Sequence, residues 1–302
     1  MNMKKTSPNI GYQKLSIIDS QAHIGPGNIE ETLAAMDALG IQTLIIDELW
    51  VSELMTGKYA PVEMLENGVT RPISPTAELA AALYPDRFAY MLRISYNDPE
   101  AEAIIRMKAA DPGCCAFRID PGLSKDTVEV LANGGYDHIF RGVAETGKPL
   151  CIYLPDHPEL IAQVAEANPS LTIIVDHCGL YGNGERIAFS SPYRNLDFEE
   201  TEALFDQVLA LSQYENVYLK WSHASENFDT PIFPGDDLRP LLRKAIDAFG
   251  AERILWASDF SVNQRGESWA ELLYSVIIND ELSEEEKQAI LGGNAARLMS
   301  LD

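Results

Sequence analysis

The chain has 302 residues, of which 46% are hydrophobic and 23% charged, and a formal net charge of -23 at pH 7. This is the composition of an ordinary globular protein with ample apolar material for a core, and the length suits one α/β barrel, so residues 1–302 are taken as a single domain. With no run of Lys and Arg to offset it locally, the negative field argues against nucleic acid and anionic membranes as partners. Any anion would have to be held by a basic group inside a pocket.

The opening residues from Met1 to Lys14 are polar and do not resemble a secretory signal, and no stretch is long and apolar enough to span a bilayer. Cys114, Cys115, Cys151 and Cys178 form no C-x-x-C pair and no regular framework. They are expected as small buried hydrophobes in a reducing, cytoplasmic setting.

In chain order, short β-branched runs alternate with longer amphipathic ones, the pattern of a parallel sheet with crossover helices. Strand one is expected over Leu15–Asp19. A helix follows, with Asn28 and Glu31 as a capping arrangement, Ile29, Leu33, Met36 and Leu39 on one face, and Gly40 as its stop. Strand two, Gln42–Asp47, leads into a long loop over residues 49–75. Strand three is Phe88–Ile94, and Asp98-Pro99 opens the helix bearing Ile104, Ile105 and Lys108, which ends before Pro112-Gly113. Strands four and five are Cys114–Ile119 and Leu150–Leu154. The helix carrying Leu160, Ile161, Val164 and Ala165 stops at Asn168-Pro169, directly before strand six, Leu171–Asp176.

A second long loop spans residues 180–197, and strand seven is Val217–Trp221. The face of Leu238, Leu241, Leu242, Ala245, Ile246 and Phe249 closes at Gly250, ahead of strand eight, Ile254–Ser258. Ser283 with Glu286 makes a capping box for a tail helix, and the segment Asn294-Ala295-Ala296-Arg297-Leu298-Met299 is expected to pack across the barrel. Eight buried strands with helices between them give a (β/α)8 TIM barrel. No repeat, low-complexity tract or linker divides the chain.

In such a barrel the polar residues at the C-terminal ends of different strands converge on one pocket, so what terminates each strand is the informative set. Strand one ends in Asp19-Ser20-Gln21-Ala22-His23, and strand four carries Arg118 and Asp120. Strand five holds Tyr153, strand six ends in Asp176-His177, strand seven reaches Lys220-Trp221-Ser222-His223, and strand eight ends in Ser258-Asp259.

The segments "IIDSQAHIGP", "VDHCG", "NVYLKWS", "ILWASDF" and "ILGGNAARLM", in this order and at barrel spacing, resemble the amidohydrolase superfamily over nearly the whole chain. The resemblance is to its amidohydrolase-related branch, which contains metal-dependent decarboxylases and several lactonases. That family usually carries His-x-His after strand one and a His on strand five when it binds a metal. Here those positions hold Gln21-Ala22-His23 and Tyr153, so of the usual mononuclear ligands only His23 and Asp259 remain, and no metal cofactor is expected; zinc is the alternative.

Tyr153, with Arg118 in "AFRID", resembles the metal-free lactonases that act on acidic lactones, such as 2-pyrone-4,6-dicarboxylate lactonase. The resemblance implies Asp259 as general base on the attacking water and as the group that later protonates the leaving oxygen, with His177 and His23 polarising the carbonyl. It further implies Tyr153 as a hydrogen-bond donor to the oxyanion and Arg118 as a fork onto a substrate carboxylate. Gln21, Lys220 and His223 are taken as substrate contacts, and Asp19 and Asp176 as orienters of the histidines they precede. Bland roles compete: a loop-capping Asp259, a core His177, a wall aromatic at Tyr153, an Arg118 paired with Asp120 or another acid. His138 and His157 read as surface residues, and Cys178 as a buried thiol without a thiolate-stabilising pattern.

The expected activity is metal-independent hydrolysis of a lactone or related cyclic ester. The alternatives are a metal-assisted hydrolase or non-oxidative decarboxylase, a hydratase or cyclase on the same fold, and, from another class, an inactive barrel that binds ligand. The expected partner is a small molecule, carboxylate-bearing or aromatic, with a homo-oligomer open. Trp50, Tyr59, Phe189, Tyr193 and Phe233 suggest an aromatic-lined pocket or subunit contacts.

Overall fold

The computed structural model describes residues 15–24, 28–49, 61–180, 197–260 and 266–301. Eight parallel strands form one sheet in the order β1 (Ile17–Ala22), β2 (Ile41–Ile46), β5 (Phe88–Arg93), β6 (Cys114–Ile119), β7 (Leu150–Ile152), β8 (Ile173–Val175), β9 (Val217–Trp221) and β10 (Ile254–Trp256). The remaining two, β3 (Val62–Met64) and β4 (Thr70–Pro72), make an antiparallel hairpin inside the first long loop. Sequence periodicity did not indicate that hairpin.

The sheet curls into a (β/α)8 barrel whose seam, between β10 and β1, is fastened past the strand ends. Asp259 N–H donates to Gln21 O at 2.9 Å, His23 N–H to Phe260 O at 2.6 Å, and Ser20 Oγ to Trp256 O at 2.7 Å. Asp19 reinforces the join by accepting from Ser258 N at 3.0 Å, Gln21 N at 3.2 Å and Trp269 Nε1 at 2.7 Å.

Because successive side chains on a strand point to opposite faces, the apolar residues divide into two cores. Ile18, Ile45, Met91, Ala116, Cys151, Ile174 and Leu255 fill the barrel interior. The opposite faces pack against an outer ring that includes α1 (Ile29–Leu39), α2 (Pro75–Leu83), α3 (Ala101–Ala109), α4 (Lys125–Ala132), α5 (Asp137–Ala144), α6 (Pro158–Ala167) and α7 (Phe198–Leu209). After β9 come a single turn, α8 (Ala224–Asn227), and the long α9 (Arg239–Phe249); α10 (Trp269–Ile277) follows β10.

The tail closes the bottom of the barrel as expected. The Ser283–Glu286 capping box starts α11 (Glu284–Gln288), a π-turn over Ala289–Gly293 follows, and α12 (Asn294–Met299) inserts Ala295 and Met299 into the interior core. Asn294 Nδ2 donates to Ile254 O and Ala251 O, both at 2.7 Å. Gly292 lies so close to β1 that a Cβ there would stand 2.1 Å from Ser16 O, which is why only glycine fits.

Two local expectations change. Asn28 does precede α1 and Gly40 does end it, in the left-handed conformation, but the Asn28 side chain makes no capping bond. Strand bounds shift too: β7, β8 and β10 end at Ile152, Val175 and Trp256, ahead of the expected Leu154, Asp176 and Ser258, although Tyr153, Asp176 and Ala257 each still donate to the neighbouring strand, while β1 runs on past the expected Asp19 to Ala22.

Candidate active site

Three consecutive strands end in the same unusual way. His177 after β8, His223 after β9 and Asp259 after β10 have φ of 51°, 54° and 50°. This left-handed conformation is costly for residues bearing a Cβ, by about 1–3 kcal/mol each, and is typical of functional sites. Here it gathers all three side chains over one end of the barrel, with one ligand-type atom of each within 4.8 Å of the others.

His23, from the end of β1, completes the group. Its Nδ1 donates to the Asp47 carbonyl at 2.6 Å, which fixes the ring, and its Nε2 meets Asp259 Oδ1 at 3.0 Å. The other Asp259 oxygen accepts from His223 Nε2 at 2.5 Å, and His223 Nδ1 bonds to the carboxylate of Glu226 on α8. His177 Nδ1 pairs with Ser222 Oγ at 2.8 Å, and its ring lies edge-on to His223 at 4.5 Å and to Tyr153 at 5.6 Å between centroids.

Burial and charge give the imidazoles different characters. Burial works to raise the Asp259 carboxyl, but the surrounding imidazoles of His23, His177 and His223 outweigh it and hold the group well below the usual carboxylate range. For His223 burial opposes the charged form, yet Glu226 and Asp259 together lift it well above the ordinary histidine value, so it donates from both nitrogens. Burial dominates at His177 and pushes it down to about 3, leaving a neutral ring.

Directly beneath lies a layer of alternating charge. Arg118 pairs with Asp176 at 2.8 Å, Asp120 at 2.8 Å and Asp47 at 3.0 Å, while Arg93 binds both oxygens of Asp47 at 2.7 Å and Asp120 at 2.7 Å. Lys220 Nζ donates to Asp176 Oδ1 and Gln21 Oε1, each at 2.6 Å, and Gln21 Nε2 donates to Asp47 Oδ2 at 3.1 Å. Three carboxylates thus face three cations, and burial's penalty on the Asp47 carboxyl is overcome by Arg93, Arg118 and His23, which lower it to about 2.

The structure therefore brings Asp259, His177, His23 and Tyr153 together at the strand ends, and His223 joins them at the centre. Gln21 and Lys220 are fully buried and bonded to each other below the mouth, and Arg118 is committed to three acids, the pairing that competed with its role as a substrate fork. Asp19 pins the seam and Asp176 pairs with Lys220 and Arg118; neither carboxylate bonds to the histidine it shares a segment with. His157 bonds to Glu159 away from the site. Burial pushes the Cys178 thiol up to about 12, as expected of a buried hydrophobe.

Sequence reasoning missed Glu226, Asp47 and Arg93. The His-x-x-Glu spacing of His223 and Glu226 at a helix start was available, as was Asp47 closing a β-branched strand exactly as Asp19 and Asp176 do. Trp50, Tyr59, Phe189 and Tyr193 lie outside the described residues, and Phe233 is 44% exposed.

Comparison with known proteins agrees with this architecture. The chain is similar to a zinc-bound amidohydrolase from Burkholderia multivorans, at 17% identity over 95% of this chain and 100% of that one, with a TM-score of 0.68. It is similar to a 2-pyrone-4,6-dicarboxylic acid hydrolase, so described provisionally, from Pseudomonas putida (17% identity, 95% and 98% covered, TM-score 0.67). A 5-carboxyvanillate decarboxylase from Sphingomonas paucimobilis also shares the fold (15% identity, 95% and 100% covered, TM-score 0.62). No curated protein matches in sequence. The sequence profile of the amidohydrolase family, however, matches residues 18–301, and the chain belongs to that family.

Proposed function

We propose that the protein is a metal-independent hydrolase of a lactone or related cyclic ester. The observation that carries this reading is the Asp259 carboxylate at the barrel mouth, bonded to His23 at 3.0 Å and to His223 at 2.5 Å, with the His177 ring beside His223. Asp259 takes a proton from the attacking water, and His23, braced on the Asp47 carbonyl, orients the carboxylate for it. In the tautomer whose Nδ1 accepts from the Ser222 hydroxyl, His177 carries its proton on Nε2 and serves, with the Tyr153 hydroxyl, as a donor to the developing oxyanion. Arg118, Lys220 and Gln21 support the site from below; the balanced charges fix its floor rather than contact substrate.

Two of the family's own metal positions do not fit a metal of the kind bound by relatives. At the family's ligand positions Gln21 offers an amide whose oxygen already accepts from the Lys220 ammonium, and Tyr153 offers a neutral phenol. His177, His223 and Asp259, with one ligand-type atom each within 4.8 Å of the others, are the residues that would hold an ion at this mouth, and metal analysis decides between that and an ion-free site.

The test is metal analysis of the purified protein, followed by a panel of lactones assayed with and without chelator. Chelator-insensitive hydrolysis by protein lacking stoichiometric metal is expected. Stoichiometric zinc or manganese with chelator-sensitive turnover, or release of carbon dioxide from a carboxylated phenol, would replace this reading with a metal-assisted one.

A further inference from the structure

Resting on the hydrolysis proposed above, in which His177 donates to the oxyanion, we infer that Asn227 is the positioning residue that fixes His177 over the mouth. The need for such a residue shows in the backbone. After β8 three consecutive residues, His177, Cys178 and Gly179, have φ of 51°, 58° and 67°. Only the glycine takes that conformation freely; for the other two it is costly and persists where neighbouring structure enforces it.

The enforcement comes from one stretch, Ser222 to Asn227, at the end of β9 and in α8. Asn227 Nδ2 donates to the His177 carbonyl at 2.8 Å, Ser222 Oγ pairs with His177 Nδ1 at 2.8 Å, and the Cys178 thiol donates to the Ser222 carbonyl at 3.5 Å. Ser222 and Asn227 are both buried. From its own turn the His177 carbonyl accepts the Leu180 N–H at 3.1 Å, so the Asn227 amide is the bond that ties this backbone to the segment after a different strand.

Asn227 also ends the single turn of α8 that follows His223, and its own N–H donates to the His223 carbonyl at 2.9 Å. One residue therefore sets the backbone of His177 against the backbone of His223, and the two rings meet edge-on at 4.5 Å between centroids. Ser222 orients the His177 ring, but without Asn227 the backbone that carries the ring can relax toward an ordinary φ and swing Nε2 away from the substrate oxygen. A misplacement of about 1 Å can cost about 100-fold in rate. Because the oxyanion forms only as the reaction proceeds, the loss should fall on kcat and spare KM.

A double-mutant cycle on the lactone that the wild-type protein opens fastest tests this. Asn227→Ala should lower kcat by about 10- to 100-fold with KM changed by less than about 2-fold. In a His177→Ala background, where no donor is left to misplace, the same change should lower kcat by less than about 2-fold. Asn227→Asp, of the same size but without the amide hydrogens, should lose at least as much as Asn227→Ala. Equal losses in the two backgrounds, or full kcat in folded Asn227→Ala, would make Asn227 a structural residue only. If Asn227→Ala fails to fold, Asn227→Ser, whose hydroxyl donor is one atom shorter, replaces it in the cycle under the same criteria. A second readout needs no substrate: in protein with labelled histidine, the nuclear Overhauser effect between the His177 and His223 rings should be present in wild type and lost in the Asn227 variant. A retained effect rejects the positioning role. Wild-type protein that opens no lactone removes the hydrolysis reading, and the ring-to-ring effect then decides by itself whether Asn227 holds His177.

Discussion

At Asp259 one carboxylate accepts from two imidazoles, and its ionisation depends on their positive potential exceeding the cost of burial. Asp259→Asn cannot accept a water proton, so kcat is expected to fall by at least about two orders of magnitude while circular dichroism and thermal unfolding stay near wild type. Activity retained by a folded Asp259→Asn protein would remove the base. At Asp19 the balance runs the other way: burial outweighs the bonds from Ser258, Trp269 and Gln21 and raises the carboxyl to about 6 from 3.8. The folded state then holds a proton that the unfolded chain has lost, so this residue's contribution to stability is full below about pH 4 and is lost as pH rises through 6. Urea denaturation of Asp19→Asn across this range should show its stability relative to wild type rising with pH, by up to about 3 kcal/mol. A flat difference would mean that Asp19 is ionised throughout.

Among the elements, the charge layer below the site and the tail beneath the barrel carry distinct risks. Lys220→Met leaves Asp176 with Arg118 alone and Gln21 Oε1 without its donor; removing one partner from a buried ionic network costs about 3–5 kcal/mol, readable as a lower midpoint in urea. Ser283→Ala, by contrast, loses only the cap of α11 and should cost about 1 kcal/mol with activity unchanged. The contrast between an expected cap that formed and one that did not is instructive. Ser283 and Asn28 look alike in sequence, but only Ser283 adopts the extended backbone that turns its oxygen onto the helix, whereas Asn28 has φ -107° and ψ 12° and points its side chain elsewhere. Local chemistry proposes caps; the path of the incoming chain decides them.

Over the whole molecule, the formal charge of -23 sets a field that opposes an anionic substrate. For a carboxylate-bearing lactone kcat/KM should rise with added salt, through KM, while a neutral lactone of similar size stays flat. Equal salt response by both would place the effect in the enzyme's conformation rather than in encounter. Among the described residues no helix is long and apolar enough to cross a membrane.

The barrel itself was legible because burial on both faces writes each parallel strand as a continuous apolar run, and the helices between them write a period near 3.6. The strand-end residues were legible too, since topology alone delivers Asp259, His177 and His23 to one face. The sequence by itself therefore determined the architecture and which polar residues stand at the strand ends, though not Glu226 or Arg93. Only the tertiary structure decided their partners. That Arg118 and Lys220 neutralise a buried floor, that Gln21 bridges Lys220 to Asp47, and that Glu226 clasps His223 depend on side chains from strands far apart in sequence. Such contacts are settled by distances of a few ångströms in a low-dielectric interior, where pairing fixes each group's charge, and no linear pattern records them.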